Sequence, residues 1–232
     1  MARGKLIVIE GCNSSGKKTQ STLLVKKLNL LGINAINLSF PMYKTPTGRI
    51  IEDAFLGKTE NGSSWFKEGY IKVDHKIACL YYAADRKYNF DIIEDYLEKG
   101  YYVVLNRYVS SNMGHQGAKI SDPDLRFELF GWIDKLEYWL LKLPKPDKTI
   151  LLHLPYKYRK DEILKRKDLD DDEKSEEYQV NSVKTYLELA SLYDWNLVEC
   201  VKNDKVREVE DINKEILDII LKNSDLKLDE IM

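Results

Sequence analysis

A single stretch near the amino terminus restricts what this chain can fold into. An apolar run from Leu6 to Glu10 stops at a glycine, and a helical pattern follows. Between them stand Gly11, four residues, Gly16 and Lys17, which is the spacing of a P-loop. In that motif a buried strand leads into a tight loop whose backbone N–H groups point at phosphate oxygens, and glycine allows the close approach. The stretch therefore predicts an α/β protein that binds the phosphates of a nucleoside triphosphate.

The residue after the P-loop lysine departs from the usual motif. Ser or Thr normally follows the lysine as a hydroxyl ligand to Mg²⁺, whereas here Lys18 follows and Thr19 comes one place later. Either the metal is held indirectly or Thr19 takes part of that role, so no direct metal ligand is assigned. Lys17 is expected to reach the β- and γ-phosphates as a point charge. The predicted triphosphate-binding residues are Gly11, Cys12, Asn13, Ser14, Ser15, Gly16, Lys17, Lys18 and Thr19.

Composition and charge narrow the class of protein further. A chain of 232 residues with 44% hydrophobic residues suits one α/β domain, and a net charge of -2 argues against a polybasic nucleic-acid or lipid binder. The cysteines Cys12, Cys79 and Cys200 lie far apart without metal-ligand spacing, and the amino terminus lacks a signal-peptide pattern. We therefore expect a cytoplasmic protein with small-molecule ligands and with neither nucleic acid nor a membrane as partner.

Strand and helix patterns alternate along the chain. Together they predict a three-layer α/β fold of the P-loop NTPase type, with a five-stranded, mainly parallel sheet flanked by helices on both faces. Strands are predicted at 5–10, 33–40, 102–105, 148–154 and 197–201. Helices are predicted at 16–31, 49–56, 73–99 (as one helix or two), 123–143, 175–193 and 209–221.

Two further stretches allow two interpretations each. The segment 57–69 is predicted to be a surface loop, whose Trp65 and Phe66 either cover a neighbouring subunit or pin the loop. The highly charged segment 157–177 is either a solvated face or a lid whose cations close over the nucleotide. All of these interpretations are compatible with a single domain spanning residues 1–232.

Several motifs beyond the P-loop give the chain a specific resemblance. It resembles the thymidylate kinases, the P-loop kinases that phosphorylate dTMP to dTDP with ATP and Mg²⁺, and the resemblance extends over nearly the whole chain. The motifs that carry it are the P-loop, Phe40-Pro41 with Thr45-Pro-Thr-Gly48, Ala84-Asp85-Arg86, Arg107-Tyr108 running to Gln116-Gly117, Leu143-Pro-Lys-Pro-Asp147, and a lid before Tyr186-Leu-Glu-Leu-Ala190.

This resemblance implies roles for residues at the acceptor site. Phe40 and Tyr82 would bracket the thymine, with Tyr82 stacking on its face. Arg86 would hydrogen-bond the edge of the base, where an always-charged planar donor suits a carbonyl acceptor. Arg107 would hold the acceptor phosphate. Since helical spacing also suits Tyr82 as a core residue and Asp85 lies beside Arg86, core packing and a surface ion pair remain the structural alternatives.

The resemblance also implies the remaining parts of the site. Ser111 and Gln116 would line the base and sugar pocket, and His115 stands where the family often has a tyrosine beneath the deoxyribose, a position associated with preference for a 2'-deoxy sugar. Arg166 in the lid would close on ATP, and the segment 200–205 would border the adenine. Lys17, Arg107 and Arg166 are thus the predicted catalytic cations, and a homodimer is expected, with the apolar faces at 73–82 and 132–141 as candidate interfaces.

Three departures from the family pattern bear on activity. Asn13 and Asn106 stand where the family usually has aspartate, and Met42 or Tyr43 stands where it often has arginine. Since a carboxylate at the end of the third strand orients both the arginine and the hydrated metal, these amides are expected to slow turnover. Three hypotheses for the function therefore remain: a dTMP kinase, a kinase of another nucleotide or nucleoside, and a nucleotide-binding protein without turnover.

Overall fold

The computed structural model describes residues 2–58, 64–67, 72–164 and 175–222. The central strands of the described fold are β1 (Leu6–Glu10), β2 (Ala35–Ser39), β3 (Tyr102–Asn106), β4 (Lys148–His153) and β5 (Asn196–Glu199). Its helices are α1 (Lys17–Leu30), α2 (Pro46–Arg49), α3 (His75–Tyr88), α4 (Phe90–Glu98), α5 (Val109–Gly117), α6 (Pro123–Asp134), α7 (Tyr156–Leu164), α8 (Glu176–Leu192) and α9 (Val209–Leu221).

The five central strands form one parallel sheet in the order β2-β3-β1-β4-β5. Val8 of β1 lies opposite Leu105 on one side and Thr149 on the other, so β1 is the middle strand. Because β1 and β3 are neighbours and parallel, their carboxyl ends open at the same edge of the sheet, where open α/β sheets bind ligands. The predicted five-stranded parallel sheet is confirmed, and it brings the loop after β1 close to Arg107.

Hydrophobic cores cover the two faces of the sheet. Leu6 and Val8 point into the core beneath α4, α5 and α6, whereas Ile7 and Ile9 point into the core beneath α1 and α9. Successive strand residues face opposite sides of a sheet, so an unbroken apolar run is what a doubly covered strand requires. Each fully buried side chain of this size contributes about 1.5–3 kcal/mol. The three-layer arrangement follows directly from this pattern.

Several element boundaries differ from the sequence prediction. The segment 73–99 forms two helices that meet at Asn89, and the carboxylate of Asp74 caps the first by accepting from the backbone N–H groups of Lys76 and Ile77. The predicted helix 123–143 ends as a π-helical segment, Lys135–Leu140, and the predicted helix 49–56 consists of α2 followed by a second π-helical segment, Ile50–Phe55. These wider turns rotate the side chains that follow them.

Sequence patterns do not predict α5 or the short β-hairpin near the carboxyl terminus. Nearly every residue of α5 is buried, so its sequence lacks the apolar stripe by which amphipathic helices are recognised. The predicted fifth strand stops at Glu199, and Val201–Lys202 pairs antiparallel with Lys205–Val206 as a separate hairpin, β6 and β7.

The structure describes part of each of the two segments with alternative interpretations, 57–69 and 157–177. Phe66 packs edge-on against Phe55 and Tyr81 at ring-centroid distances of 5.7 and 6.0 Å and so pins its loop, while Trp65 is 78% exposed. Of the predicted lid, the helix α7 covers the first part, and the middle, including Arg166, lies outside the described residues. Among the helices that the structure describes, none is long and apolar enough to cross a membrane.

Candidate active site

The loop between β1 and α1 has the backbone conformation that its glycines permit. Gly11, Ser14 and Gly16 have φ values of 145°, 61° and 88°. A Cβ at Gly11 would stand 2.6 Å from the hydroxyl oxygen of Ser15 and 2.8 Å from a backbone carbonyl, so a side chain is excluded there. The Nζ of Lys17 donates to the carbonyl oxygens of Gly11 and Cys12 at 2.8 and 2.7 Å. Burial, assisted by the positive charge of Arg107, lowers the pKa of Lys17 well below its usual value.

A cavity of about 580 Å³ opens at the carboxyl ends of β1 and β3. It is bounded by the loop at one end and by α3, α5 and the segment after β2 at the other. Its lining residues are Asn13, Ser14, Ser15, Gly16, Lys17, Lys18, Thr19, Phe40, Pro41, Tyr43, Phe55, Leu56, Lys58, Tyr82, Arg86, Asn106, Arg107, Ser111, Asn112, His115, Gln116 and Lys119.

Most of the sequence-predicted site residues thus line one cavity. Tyr82 is half-buried and lines the cavity, where it lies edge-on to Phe55 at 5.9 Å and also packs against the small apolar cluster of Phe55, Val73 and Ala78. Gly11 and Cys12 do not line the cavity, and the Sγ of Cys12 contacts the hydroxyl of Ser182 on the other side of the loop at 3.5 Å.

Arg107 occupies the turn between β3 and α5, with a φ of 71°. Its Nη2 donates to Oδ1 of Asn13 at 2.5 Å, and its Nη1 lies 2.5 Å from Nε2 of His115. A non-glycine residue in the left-handed region costs about 1–3 kcal/mol and persists where its surroundings fix it. The guanidinium is therefore held between Asn13 of the phosphate loop and His115 of α5.

The carboxylate of Glu10 fixes this turn. Glu10 is fully buried at the end of β1 and accepts hydrogen bonds from the backbone N–H of Tyr108 and from the hydroxyls of Ser110, Ser111 and Tyr186 at 2.7–3.3 Å. Because a buried carboxylate requires such donors, it holds the start of α5 against β1. The Ser111 hydroxyl is thus committed to Glu10. This role of Glu10 was not predictable from its position, because Glu10 stands at the end of an apolar run.

Arg86 is held by a carboxylate that the sequence analysis missed. Arg86 is 2% exposed, and its Nε and Nη2 donate to the two carboxylate oxygens of Glu137 at 2.5 and 2.6 Å. Burial alone would lower the pKa of Arg86, but the charge of Glu137 more than reverses this, and the pKa is raised. Asp85 does not pair with Arg86; its oxygens accept from the N–H of Met42 and the hydroxyl of Thr47 at 2.9 and 2.8 Å.

Asn112 is a second residue that sequence reasoning did not single out. Its Nδ2 donates to Oε1 of Glu137 at 3.0 Å and to the carbonyl oxygen of Cys79 at 3.2 Å. Both partners are acceptors, so the amide can take only this orientation. Asn112 and Arg86 both line the cavity. Their contacts with Glu137 use Nδ2 of Asn112 and Nε and Nη2 of Arg86, which leaves Oδ1 of Asn112 as an acceptor and Nη1 of Arg86 as a donor outside that contact.

Among the described residues that line the cavity, three have a buried polar atom without a hydrogen-bond partner: Oγ of Ser15, Oε1 of Gln116 and Oδ1 of Asn106. An unmade hydrogen bond at a buried site costs about 1–3 kcal/mol, so atoms of this kind often form a hydrogen bond with a bound ligand. Asn106 lies at the end of β3, and its oxygen is the group at this edge whose chemistry suits a hydrated Mg²⁺. Among the described residues, no three His, Cys, Asp or Glu side chains cluster as a metal site.

Helices α7 and α8 also contact the phosphate loop. Arg159 of α7 is fully buried; its Nη1 donates to the backbone oxygen of Asn13 at 3.0 Å and to Oε1 of Gln179 at 2.5 Å. On α8, the hydroxyl of Tyr178 lies 2.7 Å from Nδ1 of His115. The predicted cation of this region was Arg166, and Arg159 was not predicted.

The fold and site define the class of this protein. A parallel sheet in this order, a glycine loop that presents backbone N–H groups and a lysine, and a nucleotide-sized cavity with a second basic group opposite are the features of a P-loop phosphotransferase. Comparison with known proteins then gives the family: the thymidylate kinase family model matches residues 9–213. The chain belongs to the thymidylate kinase family and is a nucleotide-binding transferase of the kinase class.

Individual relatives agree with this assignment. A probable thymidylate kinase of Thermococcus kodakarensis is 30% identical over 218 residues, which cover 92% of this chain and 96% of that protein. The thymidylate kinase of Homo sapiens is 32% identical over 152 residues, 66% of this chain and 62% of the human protein. The solved structure of the thymidylate kinase of Candida albicans matches with a TM-score of 0.70 and 28% identity, covering 96% of this chain and 93% of that one.

Proposed function

We propose that this protein transfers the γ-phosphoryl group of ATP to dTMP and forms dTDP. The observation that carries the proposal is that Arg86 and Asn112, which both line the cavity, keep one donor, Nη1, and one acceptor, Oδ1, outside their shared contact with Glu137. Thymine presents an acceptor at O4 and a donor at N3–H, which complement that pair. Cytosine presents a donor at its amino group and an acceptor at N3, so it would leave both protein groups mispaired.

The other cavity residues fit this orientation of the acceptor. Tyr82 and Phe40 supply aromatic surface for the base. Arg107, between the base end and the loop, is the cation for the acceptor phosphate, and Oε1 of Gln116 is a buried acceptor for a donor of the nucleotide. Uracil has the same hydrogen-bonding edge as thymine, so discrimination against dUMP would depend on contacts with the 5-methyl group.

Catalysis of this transfer requires positioning and charge stabilisation, and no nucleophilic side chain. The loop N–H groups and Lys17 bind the β- and γ-phosphates of ATP, and Arg107 orients the attacking phosphate oxygen of the acceptor. Asn106 would help to hold Mg²⁺, which would supply positive charge to offset that of the donor phosphates. Arg166 is proposed as a further cation for ATP, and 200–205 as the border of the adenine.

The whole chain is proposed to act as one kinase domain, with 157–177 as its lid, in a cytoplasmic homodimer. Support for the dimer comes from apolar side chains exposed on the predicted faces: Ile77 and Leu80 of α3 are 45% and 48% exposed, and Trp139 is 60% exposed. Light scattering of the wild type and of Leu80→Glu tests this: a dimer that becomes a monomer supports the α3 face, and a monomeric wild type contradicts the proposal.

The activity is tested by ADP release with each common nucleoside monophosphate as acceptor. We expect turnover with dTMP, weaker turnover with dUMP and little with dCMP. A preference for dCMP or a purine nucleotide would contradict the assigned donor and acceptor pair. Tight binding of dTMP without ADP release would instead identify a nucleotide-binding protein without turnover.

A further inference from the structure

His115 contacts two polar groups on opposite sides of its ring. Its Nε2 lies 2.5 Å from Nη1 of Arg107, and its Nδ1 lies 2.7 Å from the hydroxyl oxygen of Tyr178. The imidazole is half-buried at the cavity wall and stacks on the Tyr178 ring with an interplanar angle of 18°. It therefore joins the arginine of the β3–α5 turn to helix α8.

The donors and acceptors in this chain fix the position of the proton on the ring. A guanidinium only donates hydrogen bonds, so Nε2 of His115 must accept and carries no proton. In a neutral imidazole the proton is then on Nδ1, which donates to the oxygen of Tyr178. Arg107 thus selects the tautomer, and the hydroxyl oxygen of Tyr178 accepts the proton on Nδ1.

The second contact of Arg107 has the same character. Its Nη2 donates to Oδ1 of Asn13, and the backbone oxygen of Asn13 is held in turn by Arg159 of α7. Both acceptors of the Arg107 terminal nitrogens are neutral. A carboxylate in either place would compete with a phosphate for the guanidinium, whereas neutral acceptors hold the arginine in position and leave its charge available.

We propose that His115 is a positioning residue that holds Arg107 ready for the phosphate of the acceptor nucleotide, with Tyr178 accepting from its other ring nitrogen. This inference rests on the proposed role of Arg107 and deepens it. It differs from the expectation that His115 acts on the sugar, because the ring nitrogens face the arginine and the tyrosine.

The electrostatic environment of His115 keeps it in the neutral state that this role needs. Burial lowers its pKa well below the usual value, and the charges of Arg107, Lys17, Lys119 and Arg159 act in the same direction. Among the described residues, the groups that contact the ring or shift its pKa most are those four cations and the side chains of Tyr178 and Tyr186, and none of these is a carboxylate. Protonation would remove the acceptor at Nε2 and set two cations against each other.

The test compares binding of dTMP with binding of thymidine, which lacks the phosphate, by calorimetry. His115→Phe keeps a ring but has no acceptor, and we expect dTMP affinity to fall about 10- to 100-fold, the range for a charged hydrogen bond. Thymidine lacks the phosphate that Arg107 would bind, so its affinity should stay within about two-fold of the wild type, a change smaller than the loss of one hydrogen bond to a charged group. His115→Gln places an amide oxygen near Nε2 and should recover most of the loss.

A pH series checks that His115 stays neutral when it holds Arg107. Because the pKa of His115 lies well below its usual value, the dTMP affinities of the wild type and of His115→Gln should fall in parallel as pH falls toward 5, through titration of the ligand phosphate alone. A steeper fall in the wild type would show that the imidazole becomes charged and would contradict the neutral state. His75→Phe is the matched control: this histidine starts α3 and does not line the cavity, so its replacement should leave both affinities unchanged.

Three outcomes would overturn the inference: unchanged dTMP affinity in His115→Phe, equal losses for dTMP and thymidine, or no recovery in His115→Gln. Failure of the proposed function would be seen separately, in the wild type, as a preference for another nucleoside monophosphate. The same comparison would then be made with that nucleotide and its nucleoside, because His115 is inferred to act on the phosphate and not on the base.

Discussion

Replacing Glu137 by glutamine tests how the acceptor site recognises its base. Glu137 is fully buried and accepts three hydrogen bonds, two from Arg86 and one from Asn112. Glutamine keeps one oxygen but turns an NH₂ group toward groups that are themselves donors. Arg86, only 2% exposed, would keep a charge without a full partner.

The size of the effect on stability follows from that burial. Removing one partner of a buried ion pair costs about 3–5 kcal/mol, and the retained oxygen of glutamine favours the lower end, about 3 kcal/mol. In a chain of 232 residues, each kcal/mol corresponds to about 2–4 °C in Tm. We therefore expect Glu137→Gln to lower Tm by about 6–12 °C.

The same substitution should reduce base selectivity. The new NH₂ group can donate to Asn112, which would favour a rotated amide that presents a donor to the cavity instead of an acceptor. Since one mispaired buried group costs about 1–3 kcal/mol, the preference for dTMP over dCMP should fall about 10-fold or more. Thermal unfolding gives the first quantity, and the ratio of kcat/KM values from ADP release gives the second.

A matched control separates this site from ion pairs in general. Glu188 forms the same two-pronged pair with Arg126, but the side chains are 26% and 16% exposed and neither lines the cavity. Glu188→Gln should cost about 1 kcal/mol or less and leave selectivity unchanged. The reasoning is refuted if the two variants lose similar stability, or if Glu137→Gln keeps the full preference for dTMP.

Further predictions concern the unpartnered amides and the cysteines. Asn106→Asp should raise kcat about 10-fold or more by orienting the hydrated Mg²⁺. The control is Asn37→Asp, which changes another buried unpartnered oxygen outside the cavity and should leave kcat unchanged. Equal kcat values in the two variants would contradict this role of Asn106. Gln116→Met should leave Tm unchanged or higher but raise the KM for dTMP up to about 10-fold; an unchanged KM in ADP-release kinetics would show that Gln116 does not contact the acceptor. Burial raises the pKa of Cys79 and Cys200 to about 12, so both thiols should resist a disulfide reagent at pH 8 until the protein is unfolded, and fast reaction of the folded protein would be the contrary result.

Much of the fold was predictable because its signals are local. About 25 consecutive residues contain the apolar run of β1, the glycines after it and the helical spacing of α1. Patterns of this kind indicate whether a strand or helix is buried on one face or on both. The same holds for the parallel sheet, since strands that alternate with helices leave few other arrangements. Helix α5 was missed for the complementary reason: a helix buried on nearly all sides has no polar stripe to reveal its period.

The sequence also named most residues of the cavity but not their partners. Lys17 was identified by the spacing of the P-loop, and Arg86 and Arg107 by the resemblance of their motifs to the family; all three line the cavity. Their hydrogen-bond partners lie far away in sequence: Glu137 is 51 residues from Arg86, and Asn13 is 94 residues from Arg107. No local pattern encodes such a distance.

By itself, then, the sequence determined the phosphate loop, the sheet that supports it and the family of kinases to which the chain belongs. Those properties depend on short stretches in which each residue's neighbours along the chain decide its conformation. Tertiary structure alone decided which polar atoms are already satisfied, that Ser111 is committed to Glu10, that Asn112 can only accept at the cavity, and that His115 accepts from Arg107. The physical reason is that a hydrogen bond depends on distance and direction between groups that only folding brings together.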